Sequence, residues 1–161
     1  MLGREICIHA AQIVVEEHQG VFPQQSEAVL QLPGIDRTTA GGILSAAFNL
    51  PISILDGNVK RVLARLTALK VPPAKAIKDL WHLSDTLLDP IHPQAFNQAL
   101  MDLGATVCLP KTPNCSPCPW KPHFLLIYLT YNSKFPCVKP LLPSPIKSSV
   151  LLSSGTNGDR F

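Results

Sequence analysis

The dipeptide Pro33-Gly34 stands between two helix-forming runs and forces a stop there, which constrains the fold of this chain more than any other feature. Proline has no backbone N–H to donate, and glycine enters turn conformations closed to other residues. Before the break, Ser26 to Leu32 carries the marks of a short helix, with Ser26 as N-cap and Val29, Leu30 and Leu32 apolar. After it, from Arg37 onward, Ala40, Ile43, Leu44, Ala47 and Phe48 recur at helical spacing. The pattern predicts helix, tight hairpin, helix. A Gly-containing hairpin that opens a helix turns several backbone N–H groups outward, where they suit a phosphate oxygen. Such contacts position a duplex without reading its bases. An ordinary packing corner between two helices satisfies the same pattern.

A second feature follows closely. The short, mostly apolar run Ile52 to Leu55 ends at Asp56, and Gly57 and Asn58 then start another helix. Val59, Val62, Leu63 and Leu66 share one face of that helix, with Lys60, Arg61 and Arg65 placed elsewhere. A carboxylate at a helix N-terminus stays ionised, because the macrodipole favours negative charge. Beside bound DNA it can stabilise a positively charged sugar as a glycosidic bond breaks. As a plain helix cap, Asp56 needs no such role.

LPGIDRTTAGGIL followed by ILDGNVKRVLAR resembles the helix-hairpin-helix DNA glycosylases, and within them the A/G-specific adenine DNA glycosylases. The wording DGNVKRVLAR separates it from the endonuclease III branch, which usually has a Thr-His pair after the Asp; an endonuclease III-like glycosylase is the alternative within the superfamily. The resemblance runs from about Gly3 to Trp120. It implies hydrolysis of the N-glycosidic bond of adenine mispaired with guanine or 8-oxoguanine. Asp56 becomes the catalytic carboxylate and Asn58 its support. Leu32, Gly34, Ile35, Asp36, Arg37, Thr38 and Thr39 become the hairpin that grips double-stranded DNA. At the Thr38 position the bifunctional relatives carry a Lys that attacks the sugar through a Schiff base. Threonine cannot, so Thr38 argues for a monofunctional enzyme. One departure stands out: the family hairpin is Gly-x-Gly, and here the second glycine is Asp36. Aspartate tolerates a left-handed backbone less well than glycine and puts a negative charge where a phosphate should sit.

The remaining segments are read around this centre. Arg4 to His18 is expected to be an amphipathic helix with Ile6, Ala10, Ile13 and Val14 on one side and Cys7 as a core thiol. After Pro72-Pro73, a helix is expected over Ala74 to Leu88, with Ile77, Leu80, Trp81, Leu83 and Leu87 apolar. Another is expected over Gln94 to Val107, with Phe96, Leu100, Met101 and Leu103 on its core face and Gly104 allowing close packing. His9, His18, His82 and His92 lack metal partners at helical spacing and read as surface or packing residues. The expected fold is all-α, an incomplete helix-hairpin-helix glycosylase of roughly six helices. Its core spans residues 1–107, a cysteine loop 108–120 and a non-family tail 121–161.

A net charge of +3 permits nucleic-acid binding without demonstrating it. The basic excess lies late: after Asp102 only Asp159 is acidic, against Lys111, Lys121, Lys134, Lys139, Lys147 and Arg160. Met1 to Ile8 has no secretory character, and Phe124 to Tyr131 is too short to cross a bilayer. A cytoplasmic monomer is expected, associated with the nucleoid if bacterial, with no membrane partner.

Cys108, Cys115 and Cys118, in a Pro-rich loop, have the spacing of a metal site. The resemblance implies a [4Fe-4S] cluster with a fourth cysteine at the position held here by Phe124. Four thiolates normally hold such a cubane, so three leave it degraded unless another donor, such as Cys137, completes it. His123 with the three thiols would instead suit structural zinc. The resemblance also places a general-acid Glu, and the residues that wedge the duplex open, upstream of Gly3, and a further 8-oxoguanine-recognising domain beyond the cysteine loop. Glu5, Glu16 and Glu17 have no context that would make them the acid. Residues Lys121 to Phe161 read as frameshifted or truncated sequence, expected to be disordered. A non-catalytic DNA-binding fragment and a nonfunctional remnant are the alternatives to the enzyme.

Overall fold

The computed structural model describes residues 2–123. The expectations for Phe124, Cys137 and most of the tail therefore lie outside the described residues. Six α-helices are present among the described residues: α1 (Leu2–Glu17), α2 (Ser26–Gln31), α3 (Arg37–Phe48), α4 (Gly57–Leu66), α5 (Ile77–Leu87) and α6 (Pro93–Asp102). The described residues include no strand, in keeping with the all-α expectation. No helix among them is long and apolar enough to cross a membrane.

The hairpin is a four-residue turn. Ile35 N–H donates to the Leu32 carbonyl at 3.2 Å, with Pro33 and Gly34 between them and Gly34 at φ +77°. Proline followed by a left-handed glycine is the signature of a type II turn. A Cβ on Gly34 would also collide with the Ile6 side chain, so the turn doubles as the seat of α1.

Two apolar clusters hold the helices. Val29, Ala40 and Leu44 join α2 to α3, with Phe22, Ile35, Phe48, Leu50 and Ile52 packed around them. The larger cluster surrounds α4: Ile54, Leu55, Val59, Val62 and Leu63 meet Leu80, Leu100, Leu103, Cys108 and Cys118. Removing that apolar area from water is the main term favouring this arrangement. α4 thus sits centrally, its apolar stripe covered by α5, α6 and the turns that follow.

Several local expectations are corrected. Gln25, not Ser26, is the N-cap of α2, and it makes no side-chain capping bond; Ser26 is already helical. Cys7 is exposed rather than a core thiol, because the α1 face that carries it has no neighbour among the described residues. The helix expected over Ala74 to Leu88 divides into a 3₁₀ turn, Pro73–Lys75, and α5. Ala76, at φ −115° and ψ 28°, is the joint between them. α6 begins at Pro93, whose missing N–H costs nothing in a first turn. The helix then widens over Leu103–Val107, where the Cys108 N–H reaches back to the Leu103 carbonyl at 2.7 Å.

Gly104 explains where this widened turn sits. A Cβ there would lie 2.6 Å from Asn58 Cβ and 3.1 Å from Asn58 Cα, so the two backbones touch only because residue 104 has no side chain. A Cβ added to Gly42, within α3, would meet nothing closer than 4 Å. Urea unfolding should therefore separate two formally identical changes. Gly104→Ala should cost about 1–3 kcal/mol through overpacking, whereas Gly42→Ala should gain up to about 1 kcal/mol from helix propensity.

Candidate nucleic-acid interface and active site

Two helices in this fold begin at capping carboxylates. Asp36 caps α3, its Oδ1 accepting from Thr39 N–H at 2.8 Å. Asp56 caps α4, its Oδ1 accepting from Val59 N–H at 2.7 Å. The hydrogen bonds from Thr39, backbone first and hydroxyl next, hold the Asp36 carboxyl below its ordinary 3.8. The positive charge of Lys60, in the first turn of α4, also acts on the Asp36 carboxyl.

Asp36 does not adopt the left-handed backbone considered from the sequence. Its φ of −93° and ψ of 175° are those of an extended N-cap, which aspartate fills without strain. What replaces glycine is therefore an internal anion at the hairpin, already bonded to one of the N–H groups that a phosphate oxygen would use.

The other hairpin residues divide by exposure. Gly34, Asp36, Arg37 and Thr39 are exposed and Ile35 and Thr38 half-buried, while Leu32 is buried at 2% and can offer only its backbone. Arg37 is engaged: its guanidinium stacks 3.8 Å from the Trp81 ring centre and pairs with Asp85 at 3.1 Å, tying α3 to α5. Thr38 donates its hydroxyl to the Leu55 carbonyl at 3.2 Å. The hairpin helix is thereby fastened to the residue immediately before Asp56.

Asp56 is half-buried and extended, at the end of an irregular segment whose Ile54 and Leu55 side chains are buried. Asn58 is held from the other side. Arg61 donates from Nη2 to Asn58 Oδ1 at 2.8 Å and to the Gly104 carbonyl at 2.6 Å, and from Nε to the Cys108 carbonyl at 2.8 Å. The sequence placed Arg61 and Arg65 merely off the apolar face. Arg65 is in fact 7% exposed, and its guanidinium reaches the Cys108, Leu109 and Pro110 carbonyls at 2.8–3.2 Å and Cys108 Sγ at 3.1 Å. Arginines four apart share a helix face, which the spacing did announce; their target, a loop more than forty residues on, it did not.

The three cysteines share a neighbourhood. Burial pushes the Cys115 thiol up, and the charges of Cys108 and Cys118 push it further. Among the described residues, however, no group of three or more His, Cys, Asp or Glu side chains is placed to hold a metal ion. With Phe at position 124 as well, the donor set does not fit a cubane that takes four thiolates. His123 lies exposed on the 3₁₀ turn Lys121–His123. The loop is held instead by the arginines of α4.

Adenine DNA glycosylase of Buchnera aphidicola is 37% identical over 153 residues, covering 92% of this chain and 43% of that protein. The Homo sapiens adenine DNA glycosylase is 48% identical over 112 residues, 68% of this chain and 20% of its own length. The chain is homologous to part of the adenine DNA glycosylases. It spans less than half the length of these relatives. No family model matches it. The Buchnera match, at 92% of the chain, runs past Trp120 into residues that the sequence had set apart from the family. Among solved structures, a thermostable thymine-DNA glycosylase superposes with a TM-score of 0.71 at 28% identity, over 78% of this chain and 58% of that one. An endonuclease III in a non-covalent DNA complex has the same fold, with a TM-score of 0.56 at 22% identity over 71% of this chain and 53% of that one.

Because Asp36 is depressed in the folded state, its contribution is complete above 3.8 and disappears as pH falls through its lower folded value. At neutral pH, Asp36→Ala should cost about 1 kcal/mol of capping. The two proteins should converge in urea stability as pH falls below the lowered folded value of Asp36. A difference that persists or grows in acid would place the effect elsewhere than in the carboxylate.

Proposed function

We propose that this chain is the hairpin-bearing core of a monofunctional adenine DNA glycosylase. Its substrate is double-stranded DNA with adenine opposite guanine or 8-oxoguanine. The observation that carries this reading is Asp56: a half-buried carboxylate at the mouth of α4, fastened through Leu55 to the hairpin helix, in a chain homologous to adenine DNA glycosylases. The exposed hairpin backbone at Gly34 holds the phosphates, and the target nucleotide turns out of the stack to bring its sugar to Asp56.

The bond that breaks joins C1′ to adenine N9. The bonding pair leaves with adenine, which takes up a proton; the sugar becomes oxocarbenium-like, and its positive charge faces the Asp56 carboxylate. Water adds to C1′ and releases a proton, leaving an abasic site. Asn58, fixed by Arg61, limits how far the Asp56 turn can move. Thr38 offers a hydroxyl bonded to a carbonyl, not an amine, so no Schiff base forms. The proton donor to adenine, worth about 10²–10⁴ in rate, is not assigned to Glu5, Glu16 or Glu17, which lie exposed on α1. The cysteine loop is a degraded iron–sulfur site, and no step runs through it.

A second reading, a hairpin that holds duplex without turnover, is favoured by one observation: Asp56 already has a structural task as the cap of α4. Asp56→Asn separates the two, because asparagine caps as well as aspartate but carries no charge. In a single-turnover assay with adenine opposite 8-oxoguanine and protein in excess, alkali-revealed abasic sites should form. With Asp56→Asn they should form at least about 10²-fold more slowly, with duplex affinity unchanged. Equal rates would remove Asp56 from the mechanism; binding without release by the wild type would favour the second reading. Asp36→Gly should tighten duplex binding, and equal affinity would show that the carboxylate does not compete with phosphate. Iron and sulfide should both fall below about four per chain, the content of a full cubane; one zinc and no iron would overturn the degraded-cluster assignment.

A further inference from the structure

The residues leading into Asp56 form neither helix nor strand, and among the described residues no strand pairs with them. The carbonyls of Ile52, Ile54 and Leu55 go to side chains instead. Asn97 of α6 donates Nδ2 to the Ile52 carbonyl at 2.9 Å and to Ser45 Oγ at 3.0 Å. Ser84 of α5 donates to the Ile54 carbonyl at 2.7 Å. Both donors are buried, Ser84 at 1% and Asn97 at 3%. Each occupies a place where its helix would otherwise bury hydrocarbon: Ser84 is four residues after Leu80, and Asn97 three before Leu100. A polar group at such a place is costly unless paired. The Ile52 carbonyl can only accept, so the Asn97 amide must present its nitrogen there.

We infer that Ser84 and Asn97 are positioning residues that aim the Asp56 carboxylate. Burial of Ile54 and Leu55 fixes where the segment lies, but apolar contact is non-directional and leaves its peptide planes free to rock. The two hydrogen bonds fix those planes. The Ser84 bond holds the Ile54–Leu55 peptide, and rotation there would swing Asp56 away from the Val59 N–H it now meets at 2.7 Å. That the aim matters for catalysis rests on the function proposed above; that Ser84 and Asn97 set it does not.

The test is amide hydrogen exchange at Val59, read against Leu63 in the same helix. Ser84→Ala should speed Val59 exchange roughly tenfold with Leu63 changed far less. Ser84→Thr, which keeps the hydroxyl, should restore protection at Val59. Asn97→Leu should act in the same direction as Ser84→Ala. Where the alanine variant does not fold, Ser84→Cys, of similar size and a weaker donor, gives the same comparison. Equal acceleration at Val59 and Leu63 would reduce Ser84 to a stability residue and overturn the inference. In the single-turnover assay, Ser84→Ala should slow adenine release by about tenfold to a hundredfold at unchanged duplex affinity. If the wild type releases no adenine, the proposed function fails while the exchange comparison still decides the positioning.

Discussion

A buried segment that is neither helix nor strand must find other donors for its carbonyls, and in this chain that requirement shapes the site. The run from Ile52 to Leu55 lies between the two apolar clusters, with Ile54 and Leu55 wholly covered. Its carbonyls cannot be left without partners in such surroundings. Donors come from three helices: Thr38 on α3, Ser84 on α5 and Asn97 on α6. Ser53 adds a fourth tie through its own hydroxyl, which donates to Asp85, the partner of Arg37. Asp56 emerges from the end of this held segment. Its position is thus a property of the whole helical assembly.

The same logic holds on the far side of α4. The cysteine loop and the widened turn before it expose carbonyls toward α4, and Arg61 and Arg65 supply a dense set of donors to meet them. A guanidinium suits this task because its five N–H groups are fixed in a planar fork. Gly104 permits the approach, and Arg61 then joins the loop to Asn58. One helix therefore carries the capping carboxylate at one end and the fasteners of a distant loop along its flank.

Much of this was legible in the residues. Pro33-Gly34 announced the hairpin because both residues restrict the backbone locally, and Gly34 is indeed left-handed. Asp56 was legible as a helix start, since capping depends on neighbours three residues away. The α4 stripe of Val59, Val62 and Leu63 followed from helical period. Ser84 left a faint signal, a hydroxyl within an apolar stripe. The readings failed in several places, for different reasons. Cys7 sits on a helix whose outward face has no neighbour among the described residues. The helix expected to continue to Val107 widens where Asn58 and Arg61 meet Gly104. Asp36 was weighed as a substitute for a left-handed glycine, yet it takes an extended backbone and caps α3.

What the sequence alone determined is whatever is decided within about a turn of helix: the hairpin, the helix start at Asp56, the buried stripe of α4, and the motifs that carry the family resemblance. These depend on backbone restriction, on capping geometry and on periodicity, all of which are local. Tertiary structure alone decided that the Leu55 carbonyl meets Thr38, that Ser84 and Asn97 secure the approach to Asp56, and that Arg65 is buried against the Cys108 loop. Those pairings join residues 17 to 45 positions apart. They arise because burying apolar area packs the helices, and the polar groups enclosed in the process are paired wherever the packing has placed a partner.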